Sequence, residues 1–210
     1  MKYIENLEWR YATKKFNPKR KINEDTLERI LQSGNLTASS MGLQPLKIVN
    51  VQSVKKREEL LAHSFNQKQV VDASHLLIIC SYADITEQDV DKYIQFIASE
   101  RAQKLETLEG FSAMIKGNIG NFKTTSQKDE WLAKQAYIVL GTLLTTCALE
   151  KVDSCPMEGF IPSEYSRILG LDELNLKPIL ALPIGYRSPE DVLQWAKKIR
   201  KPIADYVVNI

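Results

Sequence analysis

The stretch D-E-W-L-A-K-Q-A-Y-I-V-L-G-T-L-L-T-T-C-A-L-E, Asp129 to Glu150, decides the fold class. Trp131, Leu132, Ala136, Tyr137, Val139, Leu140, Leu143, Leu144, Cys147 and Ala148 repeat at helical spacing but cover nearly every angle. A helix that is apolar all round is deeply buried or lies in a subunit interface. Lys134, Gln135 and the threonines count against a membrane span. The reading is a helix shared between the core and a dimer seam.

Working outward, strands alternate irregularly with helices. Upstream, Thr86 caps a helix to about Thr107, and His75–Tyr82 reads as a strand buried on both faces. Ser53 caps a helix to about His63, Lys47–Val51 is a strand, and Leu36–Pro45 is a polar loop. Asn23 caps a helix that Gly34 ends, and a first helix runs from Met1 towards Phe16 until Asn17-Pro18 breaks it. The segment from Gly110 to Gln127 mixes helix and loop. Downstream, Cys155–Phe160 is a loop, Pro162-Ser163 opens a helix that Gly170 stops, and Pro178–Gly185 is a strand. Ser188-Pro189 opens a last helix, and the β-prone tail Ile203–Ile210 suits a sheet edge, on this subunit or another. This order is α+β rather than a regular βαβ alternation, and no G-x-G-x-x-G follows a strand. There are no repeats or linkers, so the 210 residues read as one domain, 1–210.

Composition restricts the chemistry. With 28 Lys+Arg against 26 Asp+Glu, the formal charge is +2, which removes the main reason to expect nucleic-acid binding. No apolar run meets the transmembrane requirement and no signal-peptide stretch opens the chain, so a cytoplasmic location is expected. Cys80, Cys147 and Cys155 show no C-x-x-C spacing, and Cys80 and Cys147 read as buried hydrophobes. The two histidines, His63 and His75, show no metal-ligand spacing, so no metal is expected. The balance of charge hides two basic clusters: Arg10, Lys14, Lys15, Lys19, Arg20 and Lys21 near one end, and Lys197, Lys198, Arg200 and Lys201 near the other. They are two solvated faces or, converging, a grip on one phosphate. A helix would place Arg10 and Lys14 on one face. Each phosphate–cation contact is worth about 4 kcal/mol of Coulomb energy before desolvation.

Six segments carry a resemblance. R-Y-A-T-K-K-F (Arg10–Phe16) resembles an R-x-x-T/S-K-x-F/Y opening, and A-S-S-M-G-L-Q-P (Ala38–Pro45) resembles P/A-S-S-x-N-x-Q-P. F-N-Q (Phe65–Gln67) with D-A-S-H (Asp72–His75) and W-L-A-K-Q-A-Y (Trp131–Tyr137) follow in order, then P-M-E-G-F (Pro156–Phe160) and K-K-I-R-K-P (Lys197–Pro202). Together they resemble the FMN-dependent NAD(P)H nitroreductase and flavin reductase family, in particular the oxygen-insensitive nitroreductases.

The resemblance implies an α+β nitroreductase-like fold, a mainly antiparallel sheet flanked by helices, in an intertwined homodimer with shared sites. It implies FMN as cofactor and NADH or NADPH as donor. Hydride would pass through flavin N5 to nitroaromatic, quinone or free flavin acceptors in a ping-pong cycle. By resemblance Arg10, Lys198 and Arg200 hold the FMN phosphate, Tyr11 and Ala12 line the cofactor, and Lys14 and Asn66 face the pyrimidine edge. Ala38, Ser39, Ser40, Gly42 and Gln44 would reach the FMN from the other subunit. Pro156, Met157, Glu158 and Gly159 would pass beside the ring, with backbone N–H groups towards it. No side chain serves as catalytic acid, base or nucleophile; Lys14 and Glu158 assist by position. The chain departs from the family pattern at Tyr11, Ala12, Met41-Gly42-Leu43, Leu46 and Gln69, the last near the flavin or nicotinamide. Residues 110–128 match poorly. Two other readings use the same site: reduction of a dihydropteridine or another specific metabolite, and FMN binding or storage without turnover.

Overall fold

The computed structural model describes residues 2–210. Its elements in chain order begin with α1 (Lys2–Trp9), α2 (Glu24–Asn35), β1 (Leu46–Asn50), α3 (Val54–Ala62), the single turn α4 (Gln69–Asp72) and β2 (His75–Tyr82). They continue with α5 (Glu87–Glu100), α6 (Glu109–Gly120), α7 (Thr125–Leu149), β3 (Asp153–Ser154), α8 (Pro162–Leu169), β4 (Leu176–Gly185) and α9 (Ile203–Tyr206). Short 3-10 turns occur at Ser40–Gly42, Leu105–Leu108, Asp172–Leu174 and Val192–Trp195.

The four strands form one antiparallel sheet in the order β1-β2-β4-β3. The sheet is therefore α+β in class, as the irregular alternation implied. Val49 pairs with Ile78 and Leu77 with Leu182. The register shifts between Ile79 and Cys80, which pair with Leu180 and Pro178, so β4 carries one extra residue there. Pro183 sits opposite Leu76, whose carbonyl is turned instead to the N–H of Val51 at 2.8 Å, so the missing proline donor forfeits no ladder bond.

β2 is buried on both faces. Leu76, Ile78 and Cys80 point into one cluster with Leu60, Val70, Phe160 and Tyr165, while Leu77 and Ile79 point into another with Ile30, Val139 and Leu143. α7 closes the second face, and its N-terminal turns join a third cluster with α5 and α6 through Leu132. α7 contains a run long and apolar enough to meet the length and composition of a membrane span, where none was expected, as a buried core helix also can. Its Leu132, Ala136, Val139, Leu140, Leu143 and Cys147 are buried in the protein, and Tyr137, Ile138 and Leu149 are exposed. Cys80 and Cys147 pack as hydrophobes, and burial pushes each thiol up to about 12.

Four expectations need correction. The first helix stops at Trp9, because the segment behind it is extended and takes its partners from β3 and the end of β4. Thr13 N–H donates to Ser154 O at 3.2 Å, Phe16 bridges Arg187, and Asn17 N–H donates to Tyr186 O at 2.7 Å. Ser188-Pro189 opens only a turn, after which Asp191 caps Val192–Trp195. The helix that Thr86 opens ends at Glu100 rather than near Thr107. Within this chain the tail forms the single helical turn α9 and meets no strand of the described residues. Elsewhere the caps are as read: Asn23 for α2, a Thr86/Asp89 capping box for α5, and left-handed Gly170 (φ 70°) behind α8.

Candidate functional site

The two basic clusters converge. Arg10, Tyr11, Ala12 and Lys14 line one wall of a cavity of about 360 Å³, and Lys197, Lys198 and Arg200 line the other. The convergence does not come from a shared helix face, since the backbone after Trp9 is extended. It comes from a buried carboxylate that the sequence reading passed over. Asp191, 2% exposed, accepts the N–H groups of Lys14 (2.7 Å) and Lys15 (3.0 Å) on one oxygen and that of Leu193 (3.1 Å) on the other. It thereby ties the segment after α1 to the segment leading to Lys198. Burial works to raise this carboxyl, and the N–H groups of Lys15 and Lys14 with Tyr11 outweigh it, leaving it below its ordinary value.

Inside the cavity the cations crowd one another. Lys198 Nζ donates to Leu7 O at 2.7 Å and to Arg10 O. Its pKa is lowered by burial and then by Arg10 and Arg200. Arg10 is lowered in the same way, by burial and then by Arg200. Arg10 Nε is buried without an acceptor, and the Tyr11 phenol faces the Asp191 carboxylate. Burial and the neighbouring Asp191 raise the Tyr11 phenol, so it stays a neutral donor. Three cations gathered with an unsatisfied guanidinium donor are the groups that a multiply charged anion would satisfy. Behind them Arg187 lies over the rings of Trp9 (4.3 Å) and Tyr11 (4.6 Å) and is ion-paired to buried Asp153, which makes a rigid wall.

A second group adjoins the first through Lys14. Its Nζ donates to Cys155 Sγ at 3.8 Å. Burial raises the Cys155 thiol, while Lys14 and the buried Gln69 pull it back. Asn66 is exposed in a left-handed turn (φ 55°). Gln67 joins that turn to the next loop, donating to Ser64 O (3.1 Å) and Gly159 O (2.9 Å). The expectation of a row of free backbone donors at Pro156–Gly159 is narrowed. Pro156 has no N–H, and the Met157 N–H is spent on Ala181 O at 2.8 Å, which leaves Glu158 and Gly159. The Glu158 carboxylate accepts from Tyr137 Oη at 2.6 Å and so meets α7.

The third group stands apart. Ser39 and Gln44 line a different cavity of about 430 Å³ together with Gly34, Leu46 and Val139. Gln44 N–H donates to Ser39 Oγ (2.9 Å) and its side chain to Asn35 O (2.6 Å). Ser40 N–H donates to Gln135 Oε1 at 2.8 Å. Within one chain, Ala38, Ser39, Ser40, Gly42 and Gln44 are not brought to the Arg10 cavity. Gln135, 4% exposed on a helix whose other buried residues are apolar, is the visible signal for this contact. Among the described residues no group of His, Cys, Asp or Glu is placed to hold a metal ion.

Residues 7–186 match the sequence profile described as the nitroreductase family. A Staphylococcus aureus protein provisionally named an NAD(P)H nitroreductase is 34% identical over 205 residues, spanning 89% of this chain and 92% of that one. Among solved structures, a Bacillus subtilis protein assigned as a nitroreductase superposes with a TM-score of 0.87 at 19% identity, covering 99% of this chain and 98% of its own. An Exiguobacterium sibiricum protein of like assignment, solved in complex with FMN, gives a TM-score of 0.82 at 20% identity, covering 99% and 97%.

Proposed function

The chain belongs to the nitroreductase family, and from that premise we propose that it is an FMN-dependent oxidoreductase, a single nitroreductase-like domain over residues 1–210, carrying reducing equivalents from NADH or NADPH to nitroaromatic, quinone or free flavin acceptors as a homodimer. The observation that carries this reading is the Arg10, Lys198 and Arg200 cluster around a cavity, with Arg10 Nε buried and unpaired. A phosphate monoester is the ligand that fits it. It supplies acceptor oxygens for the idle donor and negative charge for three mutually repelling cations. The residues present therefore fit the phosphate end of FMN.

Bound FMN supplies the two-electron exchange between donor and acceptor. The protein's part is to hold and orient. Arg10, Lys198 and Arg200 would take the phosphate, Tyr11 and Ala12 the adjoining chain, and Lys14, Asn66 and Gln69 the polar edge of the ring. Lys14 brings a positive charge there, which favours an electron-rich ring. The N–H groups of Glu158 and Gly159 are the backbone donors left to face the ring. The third group enters from a second copy. The exposed stripe Tyr137, Ile138 and Gly141 on α7 and the exposed tail residues Tyr206, Val208 and Ile210 support that assembly, because such apolar surface calls for a partner.

The test begins with colour. The purified protein is expected to be yellow, to bleach with NADH or NADPH under anaerobic conditions, and to recover colour when menadione or nitrofurazone is added. A colourless protein that takes up no added FMN refutes the reading. A yellow protein that neither donor bleaches supports storage instead. Sedimentation showing a flavin-loaded monomer refutes the shared site.

A further inference from the structure

The 3-10 turn Ser40–Gly42 has an unusual backbone. Met41 (φ 56°) and Gly42 (φ 73°) are both left-handed, a conformation that disfavours side chains at successive positions. Gln135 on α7 accepts the Ser40 N–H at 2.8 Å and fixes the entry to the turn. Tyr93 on α5 donates from Oη to Met41 O at 3.1 Å and fixes its apex. Asn118 on α6 donates to the Met41 thioether at 3.6 Å and to that of Met114 at 3.1 Å. Three helices thus hold one turn by its backbone and one side chain.

The sterics at Gly42 are more specific still. A Cβ built on Gly42 would lie 2.3 Å from Tyr93 Oη and 3.4 Å from Tyr93 Cζ. The first distance is impossible and the second is ordinary contact. A side chain at position 42 would strike the hydroxyl rather than the ring, in addition to the strain that φ 73° imposes on any side chain there.

We propose that Tyr93 is a positioning residue of the oxidoreductase site: its hydroxyl takes the space of a side chain at position 42 and, bonded to Met41 O, sets the turn that meets the cofactor. This rests on the proposed function, in which the 38–44 segment approaches FMN across the dimer. Gly42 and Tyr93 then form a matched pair.

The test is a double-mutant cycle on the flavin-loaded protein. FMN release is followed by fluorescence on dilution, and the thermal midpoint is read at saturating FMN. Tyr93→Phe removes one hydrogen bond and is expected to raise the FMN dissociation constant about fivefold without a matching loss of thermal midpoint. Gly42→Ala is expected to raise it about thirtyfold in the natural background and at most about fivefold in Tyr93→Phe, because the clash is gone while the φ strain stays equal in both. Equal Gly42→Ala penalties in the two backgrounds overturn the proposal while leaving the FMN reading intact. So does a Tyr93→Phe protein with unaltered FMN release. A parent protein that takes up no FMN overturns the underlying reading and this proposal with it.

Discussion

Asp191→Ala separates two physical accounts of the basic cavity. On a pure charge account, removing a carboxylate near three cations strengthens anion binding. For unit charges about 10 Å apart at an effective dielectric near 20, that gain is about 1.7 kcal/mol. On the positioning account, the substitution removes two charge-assisted hydrogen bonds that cross between the segments, from Lys14 and Lys15 at 2.7 and 3.0 Å, and a local one from Leu193 at 3.1 Å. The Lys14 and Lys15 donors are partly buried and bond to a charged acceptor, so the net loss is about 1.5 kcal/mol apiece. The sum is about 3 kcal/mol of order lost between the two segments that carry Arg10 and Lys198. Less the charge gain, this predicts FMN binding about tenfold weaker. Equilibrium dialysis of flavin with circular dichroism as a check on folding measures it. Asp191→Asn keeps one acceptor oxygen and is expected to fall between parent and Asp191→Ala. Tighter or unchanged FMN binding in Asp191→Ala would refute the staple and restore the charge account.

Other consequences are simpler to test. His75 is held below its ordinary pKa of 6.5 by burial, Arg57 and Lys21, and Ser74 Oγ, which accepts the Ile22 N–H, faces its Nδ1 at 3.1 Å. The unfolded chain therefore binds the proton first. Stability is full above about pH 6.5 and declines as pH falls towards the depressed native value; His75→Gln should flatten the thermal midpoint between pH 7 and 5.5, and an unchanged slope would rule His75 out. A Cβ at Gly185 would meet Ser74 N at 2.9 Å and Phe16 Cδ1 at 3.1 Å, so Gly185→Ala should cost about 2 kcal/mol, seen as a midpoint lowered by about 4–8 °C. Leu143 is fully buried between α7 and the sheet, and Leu143→Ala should cost about 3 kcal/mol in denaturant unfolding; a loss under 1 kcal/mol would mean that α7 packs more loosely than described.

What the sequence disclosed followed the range of each interaction. β2 was legible because burial on both faces leaves an unbroken apolar run, and α2, α5 and α8 because their caps are local chemistry. Residues 10–16 misled because Thr13 and Phe16 take partners from Ser154 and Arg187, contacts with no local trace. β3, at two residues, is too short for any periodicity. In the site, the basic residues stood out as clusters, but their meeting depends on Asp191, which in S-P-E-D-V looks like an ordinary cap. Gln135 was visible as a polar residue on an apolar helix; its acceptor role towards Ser40 was not. The role of Tyr93 had no sequence signal, since the constraint lies in a glycine far away along the chain.

The Lys198 ammonium closes on the carbonyls of Leu7 and Arg10, across separations of 191 and 188 positions. Any partial chain that stops short of residue 198 holds Arg10 but not its companions. On the proposed reading, phosphate capture is thus deferred until synthesis has passed the late cluster. A degradation pathway that spares ligand-stabilised proteins would, on this arrangement, discriminate against truncated copies without reading their sequence.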